Sequence, residues 1–148
     1  MAFRLARVLR VRSQLREQAQ DALIRARAEL AAIAERMQAL HAAELHARAT
    51  ASEVATAGCT AEDLVRFEVY AARLVALRER LKGDSARIQD EVRVRREALL
   101  MRRREERQLE KLAERAAERE TSAEEHATAL LLDDLARRKR TVGKGMGS

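Results

Sequence analysis

Three histidines and one cysteine are the side chains of this 148-residue chain best suited to bind a metal or act as a nucleophile. His41 and His46 are five residues apart, which places them on different faces of a helix. The chain has no Glu-x-x-His pair of the kind that carboxylate di-metal bundles use. His126 follows two glutamates and has no second ligand nearby, and Cys59 has no histidine or basic residue placed to activate its thiol. We therefore predict no metal site and no catalytic residue.

The glycines do not form a phosphate-binding loop either. Gly58 and Gly83 are isolated, and the other three lie at 143, 145 and 147 in a tail that reads as disordered. We predict that the chain is not an enzyme and that it binds no cofactor.

The apolar residues instead follow a heptad pattern, and the chain has no proline to interrupt it. Steps of three or four residues keep one face of a helix against a partner helix. The first seam contains Leu23, Ala26, Leu30, Ile33, Met37, Leu40, Glu44, Ala47, Ala51 and Val54. The second seam contains Leu64, Phe67, Ala71, Leu74, Arg78, Leu81, Ser85, Ile88, Val92, Arg95 and Leu99. Upstream, a run of four-residue steps from Val11 to Leu23 predicts a stutter.

The two seams match each other in antiparallel order. The best match pairs positions whose numbers sum to 118, so the midpoint of the pairing is Cys59. Ala51 then lies opposite Phe67 and Met37 opposite Leu81. Arg78 falls opposite Leu40, and we expect its stem to pack there while its charged head reaches outward. The sequence predicts an all-α fold: an elongated two-helix antiparallel coiled-coil hairpin.

The turn residues define the limits of the predicted helices. Gly58 can end a helix in the left-handed conformation, and Thr60 with Asp63 can begin the next one as a capping box. We predict helix one over about 3–57, a turn at about 58–60 and a longer helix two over about 60–139. Residues 1–140 would form a single domain and 141–148 a flexible tail. At about 1.5 Å per residue, helix two would extend past helix one by about two dozen residues.

Composition and charge restrict the classes of partner. The net charge is +6, the pI is about 10.4 and aromatic residues make up 2% of the chain. Basic residues alternate with acidic ones and aromatic rings for base stacking are almost absent, so we predict no specific nucleic-acid binding. No uncharged run is long enough to span a bilayer and the arginine-rich start does not fit a secretory signal, so we predict a cytosolic protein without transmembrane insertion.

The N-terminal end is strongly basic. No acidic residue precedes Glu17, whereas five arginines do: Arg4, Arg7, Arg10, Arg12 and Arg16. The antiparallel pairing sets this end beside residues 102–114, where further basic residues gather and glutamates partly offset them. Like charges here weaken pairing within the chain, so we predict that this end meets an acidic protein surface.

Three segments resemble the flagellar FliJ family. The opening, with Phe3-Arg4-Leu5 and then 8–12 and 15–19, is similar to the start of that family. Leu109-Glu110-Lys111-Leu112 resembles the core of its charged segment, and the stretch from Asp133-Asp134 to Arg137-Arg138 resembles its acidic pair followed by basic residues. The chain differs at 129–132, Ala-Leu-Leu-Leu, where the family usually has polar residues; this difference also fits an apolar contact site or a diverged secretion-system relative of the YscO kind.

The resemblance implies a component of the flagellar type III export apparatus. It would be a stalk at the cytoplasmic side of the inner membrane, with the export ATPase, the membrane-embedded export gate and export chaperones as partners. The partner-binding residues would be Phe3, Leu5, Arg7, Leu9, Arg10, Leu109, Glu110, Lys111, Leu112, Leu131, Asp133, Asp134, Arg137 and Arg138. Two alternatives stay open: a structural coiled coil that dimerises through the extension of helix two, and a basic coiled coil that binds nucleic acid.

Overall fold

The computed structural model describes residues 2–146, which form two long helices. Helix α1 spans Ala2–Ala57 and has 56 residues; helix α2 spans Ala61–Met146 and has 86. At about 1.5 Å per residue their axes are about 84 Å and about 129 Å long. No strand occurs within 2–146. The prediction of an all-α helical hairpin with the longer helix second is confirmed.

The composition explains such long helices. Alanine, leucine, arginine and glutamate dominate both helices, and these residues lose little side-chain freedom in a helix. Proline, which would break the backbone hydrogen-bond ladder, is absent from the sequence. Helix formation therefore meets no obstacle until the glycine at the turn.

The turn between the helices has the predicted chemistry. Gly58 adopts φ = 88°, the left-handed conformation that ends a helix. The Thr60 amide donates to Asp63 Oδ2 at 3.4 Å, and the Asp63 amide donates to Thr60 Oγ1 at 3.3 Å. These reciprocal hydrogen bonds form a capping box. The Leu64 amide then donates to the Thr60 carbonyl at 3.3 Å, the first hydrogen bond of the α2 ladder.

The described residues group into two compact units, each containing a segment of both helices. The turn unit is Arg16–Met101; the terminal unit is Met1–Leu15 with Arg102–Ser148, of which 2–15 and 102–146 are described. The buried residues of the described chain, each at most 9% exposed, all belong to the turn unit. They are Leu23, Ala26, Ile33, Leu40, Glu44, Leu74, Leu81, Ile88 and Leu99.

Burial in the turn unit follows the two predicted seams. Leu40, Leu74 and Leu81 form one buried cluster, against which Met37 and Ala47 pack. Residues of both helices therefore contribute to this cluster. Towards the turn the seam opens: Ala51 and Phe67 line a shallow groove, and Leu64 is half exposed. Arg95, a predicted seam position, is also exposed.

Arg78 does not simply extend into solvent, as the sequence analysis expected. Its Nη1 donates to Glu44 Oε2 at 3.1 Å, and Glu44 is only 9% exposed. Glu44 lies one turn beyond Leu40, the residue predicted to face Arg78, and the long arginine side chain spans that distance. Glu44 Oε1 and Arg78 Nε are buried without a hydrogen-bond partner among the described residues. The seam thus contains an incompletely satisfied ion pair.

Of the positions in the predicted stutter, Val11 is wrong, since it is 54% exposed, whereas Leu15 and Ala19 are partly covered and Leu23 is buried. Before Leu23 the partly covered positions of α1 include Leu5, Leu9, Arg12, Arg16 and Ala19. Their spacing of three and four residues continues the first seam in the same phase. The two arginines occupy seam positions because their methylene stems can pack while the guanidinium groups stay near the surface.

The C-terminal end of α2 also differs from the prediction. The helix continues to Met146, so residues 141–146, predicted as part of a flexible tail, are helical. Gly147 and Ser148 lie outside the described residues.

Two glycine substitutions should have opposite effects. Gly58→Ala forces a side chain into the left-handed region and should destabilise the protein by about 1 kcal/mol. Gly83→Ala is the matched control: it lies inside α2, and an added Cβ would meet no atom within 4 Å. It should stabilise the helix by about 0.5–1 kcal/mol. Urea unfolding followed by circular dichroism measures both; shifts of the same sign would contradict this account of the turn.

Removing one partner of the seam ion pair should be costlier than removing both. Glu44→Ala leaves the Arg78 guanidinium without its carboxylate and should cost about 1–3 kcal/mol. Replacing both residues with leucine should restore or exceed the original stability.

The same urea titration tests this prediction. The control is Glu79→Ala, which removes an exposed ion pair with Lys82 and should change stability by about 0.5 kcal/mol or less. Equal effects of Glu44→Ala and Glu79→Ala would show that the seam pair contributes no more than a surface pair.

Candidate partner-binding surface

The predicted partner-binding residues all belong to the terminal unit. They come from its two segments, 2–15 of α1 and 102–146 of α2. No residue of this unit whose side chain is described is fully buried. These segments therefore lack the apolar layers that stabilise the turn unit, and their surfaces differ in exposure and charge.

The N-terminal segment presents one aromatic ring and a set of arginines. Phe3 is 90% exposed, which is unusual for a phenylalanine and leaves its ring available for contact. Arg7 and Arg10 are exposed as well, whereas Leu5 and Leu9 are half-buried in the seam. The structure therefore divides the predicted set: Phe3 and the two arginines face solvent, and the two leucines contribute to packing within the unit.

The predicted partner-binding residues in the charged segment of α2 also differ in exposure. Leu109 is half-buried at a seam position, while Glu110 and Lys111 are exposed and Leu112 is half exposed. A replacement of Leu109 would therefore change the packing of the terminal unit. Leu112 is better suited to contact a partner.

A polar network joins the two segments of the terminal unit. Arg12 Nη1 donates to Glu105 Oε2 at 2.7 Å, and Arg102 Nη1 donates to the same oxygen at 3.2 Å. Ser13 Oγ donates to Glu106 Oε1 at 2.8 Å. Sequence analysis expected mutual repulsion at this end and did not assign these pairs. Both pairs nevertheless lie within one residue of the predicted register, in which position 106 is opposite Arg12 and position 105 is opposite Ser13.

The C-terminal part of α2 has no covered residue. Every residue from 117 to 143 is exposed, and we call this segment the extension. It carries five large apolar side chains that are 58–65% exposed: Leu130, Leu131, Leu132, Leu135 and Val142. Asp133 pairs with Arg137 at 3.7 Å and Asp134 with Arg138 at 3.6 Å along the helix. The predicted residues here are accessible to a partner.

Residues 2–146 contain no group of three or more histidine, cysteine or carboxylate side chains placed to hold a metal ion. His41, His46 and His126 are exposed, and Cys59 is a free thiol of intermediate exposure at the turn. No helix of the described chain has a stretch both long and apolar enough to cross a membrane. The surfaces described above are suited to contact with another protein.

The family profile described as "Flagellar FliJ protein" matches residues 1–142. The chain belongs to the flagellar FliJ family. The resemblance seen in the opening, the charged segment and the acidic pair is thereby confirmed. Membership implies a component of the flagellar export apparatus, and FliJ is a family of structural components that are not known as enzymes. No curated protein and no solved structure matches the chain significantly.

The polar network of this FliJ-family chain can be tested by hydrogen exchange. Glu105→Ala removes the carboxylate that accepts from both Arg12 and Arg102, and should loosen residues 2–15 by about 0.5–1 kcal/mol. Their amide exchange should become roughly two to five times faster.

The control for this measurement is Glu114→Ala, which removes an exposed carboxylate of the same helix. It should leave exchange in 2–15 nearly unchanged. Faster exchange in both variants, or in neither, would show that Glu105 does not hold the two segments together.

Proposed function

We propose that this chain is a coiled-coil stalk of the flagellar type III export apparatus. In this role it associates with the ring of the export ATPase and with the membrane-embedded export gate, and it handles export chaperones. It acts at the cytoplasmic face of the inner membrane. Family membership supports a role in the flagellar export apparatus. The distribution of buried residues supports a structural role for the turn unit and a partner-binding role for the terminal unit.

The observation that carries the proposal is the contrast between the two units. The turn unit contains the buried layers, so its stability comes from its own contacts. The terminal unit has no fully buried side chain among those described, and its extension has no covering element within 2–146. A segment that leaves large apolar side chains exposed is typical of a protein that completes its packing on a partner.

We assign the first contact to the N-terminal end of the terminal unit. Phe3 provides an exposed ring, and Arg7 and Arg10 supply positive charge without a neighbouring acid in the sequence. Aromatic and arginine side chains are the residue types most often found at the energetic centre of interfaces. The matching surface on the ATPase or the gate should be acidic, with an apolar pocket for the ring.

The second contact is assigned to α2. Leu112 with Glu110 and Lys111 forms an exposed patch of mixed character. The extension adds leucines with paired charges at Asp133, Asp134, Arg137 and Arg138. Such a surface can hold an amphipathic chaperone helix through its leucines while the charges set the orientation.

Co-sedimentation with a purified flagellar export ATPase, with ATP hydrolysis followed at physiological salt, tests the proposal. The unmodified protein should associate with the ATPase and stimulate hydrolysis. A variant with Phe3→Ala and Leu112→Ala should lose at least about tenfold in affinity, since exposed anchors at an interface contribute about 1–2 kcal/mol each.

The matched control carries Ile24→Ala and Val94→Ala, two similarly exposed apolar residues of the turn unit. This control should associate and stimulate like the unmodified protein. Circular dichroism of both variants verifies that the helices are retained. Absence of association with the unmodified protein, or equal losses in both variants, would overturn the assignment of the terminal unit as the contact surface.

A further inference from the structure

The extension of α2 has a divided charge distribution that the proposed function does not require. Residues 117–135 contain six acidic side chains and one arginine, whereas residues 136–143 contain four basic side chains and no acid. The acids are Glu118, Glu120, Glu124, Glu125, Asp133 and Asp134; the bases are Arg137, Arg138, Lys139 and Arg140. All of these residues are exposed. A helix with one acidic and one basic half is complementary to an antiparallel copy of itself.

Seven residues of the extension, four of them apolar and three charged, form a stripe along one face. Its members are Glu120, Glu124, Ala127, Leu131, Leu135, Arg138 and Val142. The steps are four, three, four, four, three and four residues, which is two 11-residue repeats on one face of a nearly straight helix. The sequence of steps reads the same in both directions from Leu131. An antiparallel copy centred on Leu131 therefore sets each stripe position opposite another stripe position.

We propose that the extension is a homodimerisation surface, on which a second copy of this chain pairs antiparallel about Leu131. Leu131 then faces Leu131 of the second copy, and Ala127 faces Leu135 twice. Glu124 faces Arg138 on each side of this apolar centre. The interface is isologous and closes with two-fold symmetry, so it forms a dimer and not a filament.

The charges exclude the parallel alternative. In a parallel pair Glu124 would face Glu124 and Arg138 would face Arg138, and like charges at facing positions are destabilising. The present partner of Arg138 does not prevent the antiparallel contact: its pair with Asp134 is 3.6 Å long between two strongly exposed side chains. A guanidinium has donors enough for both carboxylates. The stripe spans slightly more than three heptads, a length at which a sustained seam pattern is typical of a coiled coil.

Sedimentation equilibrium of the full-length protein over a range of concentrations tests the proposal. The mass should rise from 16.7 kDa towards twice that value. Arg138→Glu creates two facing pairs of glutamates and Glu124→Arg two facing pairs of arginines, so each variant alone should weaken the dimer at least about tenfold. An equimolar mixture of the two variants should form a heterodimer as strong as the original, because both facing pairs are again opposite in charge.

The neighbouring residues provide a control of equal net charge. Arg137→Glu and Glu125→Arg change positions that point about 120° away from Leu131 on the helix. Each should leave the dimer within about threefold of its original strength, and their mixture should show no preference for the heterodimer. Circular dichroism confirms that all four variants remain helical.

Disulfide trapping tests the antiparallel direction. In a Cys59→Ser background, a chain with Ala127→Cys should cross-link to a chain with Leu135→Cys, and two copies of the Leu135→Cys chain should not cross-link to each other. A mass that stays at 16.7 kDa up to roughly 1 mM overturns the proposal. A dimer that the Arg138 and Glu124 variants leave intact, or that cross-links through Leu135→Cys alone, overturns it too. None of these outcomes depends on the export ATPase.

Discussion

The structure depends on one constraint: each layer of the turn unit can bury only the side chains of a single seam. A globular core can compensate for one poor residue through neighbours on several sides, but a two-helix seam cannot. Leu40, Leu74 and Leu81 therefore carry much of the packing, and Ala26 is buried at a further position of the same seam. Stability accumulates layer by layer along the seam.

The buried pair of Glu44 and Arg78 is costly within such a narrow core. A leucine at both positions would bury more apolar surface and leave no orphaned polar atom. A polar pair across the seam has a compensating effect, because it is satisfied in one register and one orientation only. The pair thereby opposes slippage by one heptad, which the repetitive alanine and leucine positions around it would otherwise tolerate.

Much of the fold could be predicted because the heptad spacing and the turn chemistry agree. Gly58, Thr60 and Asp63 each act as their residue types predict, and Met37 packs against the cluster that contains its predicted partner Leu81. The spacing did not reveal which polar residues would pair across the seam. Arg78 reaches one turn away from its geometric partner and Arg12 selects Glu105, since long side chains respond to charge over several ångströms.

The candidate surfaces were less predictable than the seam. Leu5, Leu9 and Leu109 were grouped with Phe3 and Leu112, although the first three are half-buried. A leucine at a seam position and a leucine beside it look alike until the phase of the heptad is known. The spacing of apolar residues places Val11 in the seam before Leu23, because the pattern counts Arg78 and Arg95 as seam residues but not Arg12 and Arg16. Treating Arg12 and Arg16 as seam members would have assigned Leu5 and Leu9 correctly.

The capped turn at Gly58 also has a consequence for how such a chain can change length. The register of the two helices is fixed at the turn. Glu44 therefore reaches Arg78 only while the number of residues between the turn and each of these two residues is preserved. An insertion in one helix changes the register of every layer between the insertion and the termini. The register is preserved when both helices gain the same number of residues, and the seam also keeps its phase when that number is a whole heptad. The end of α2 is free of this rule, because the extension faces no counterpart within the described chain. A change of length in the extension therefore leaves the layers of the turn unit in register, and a lineage of such chains can alter its reach there without changing the contacts of the seam.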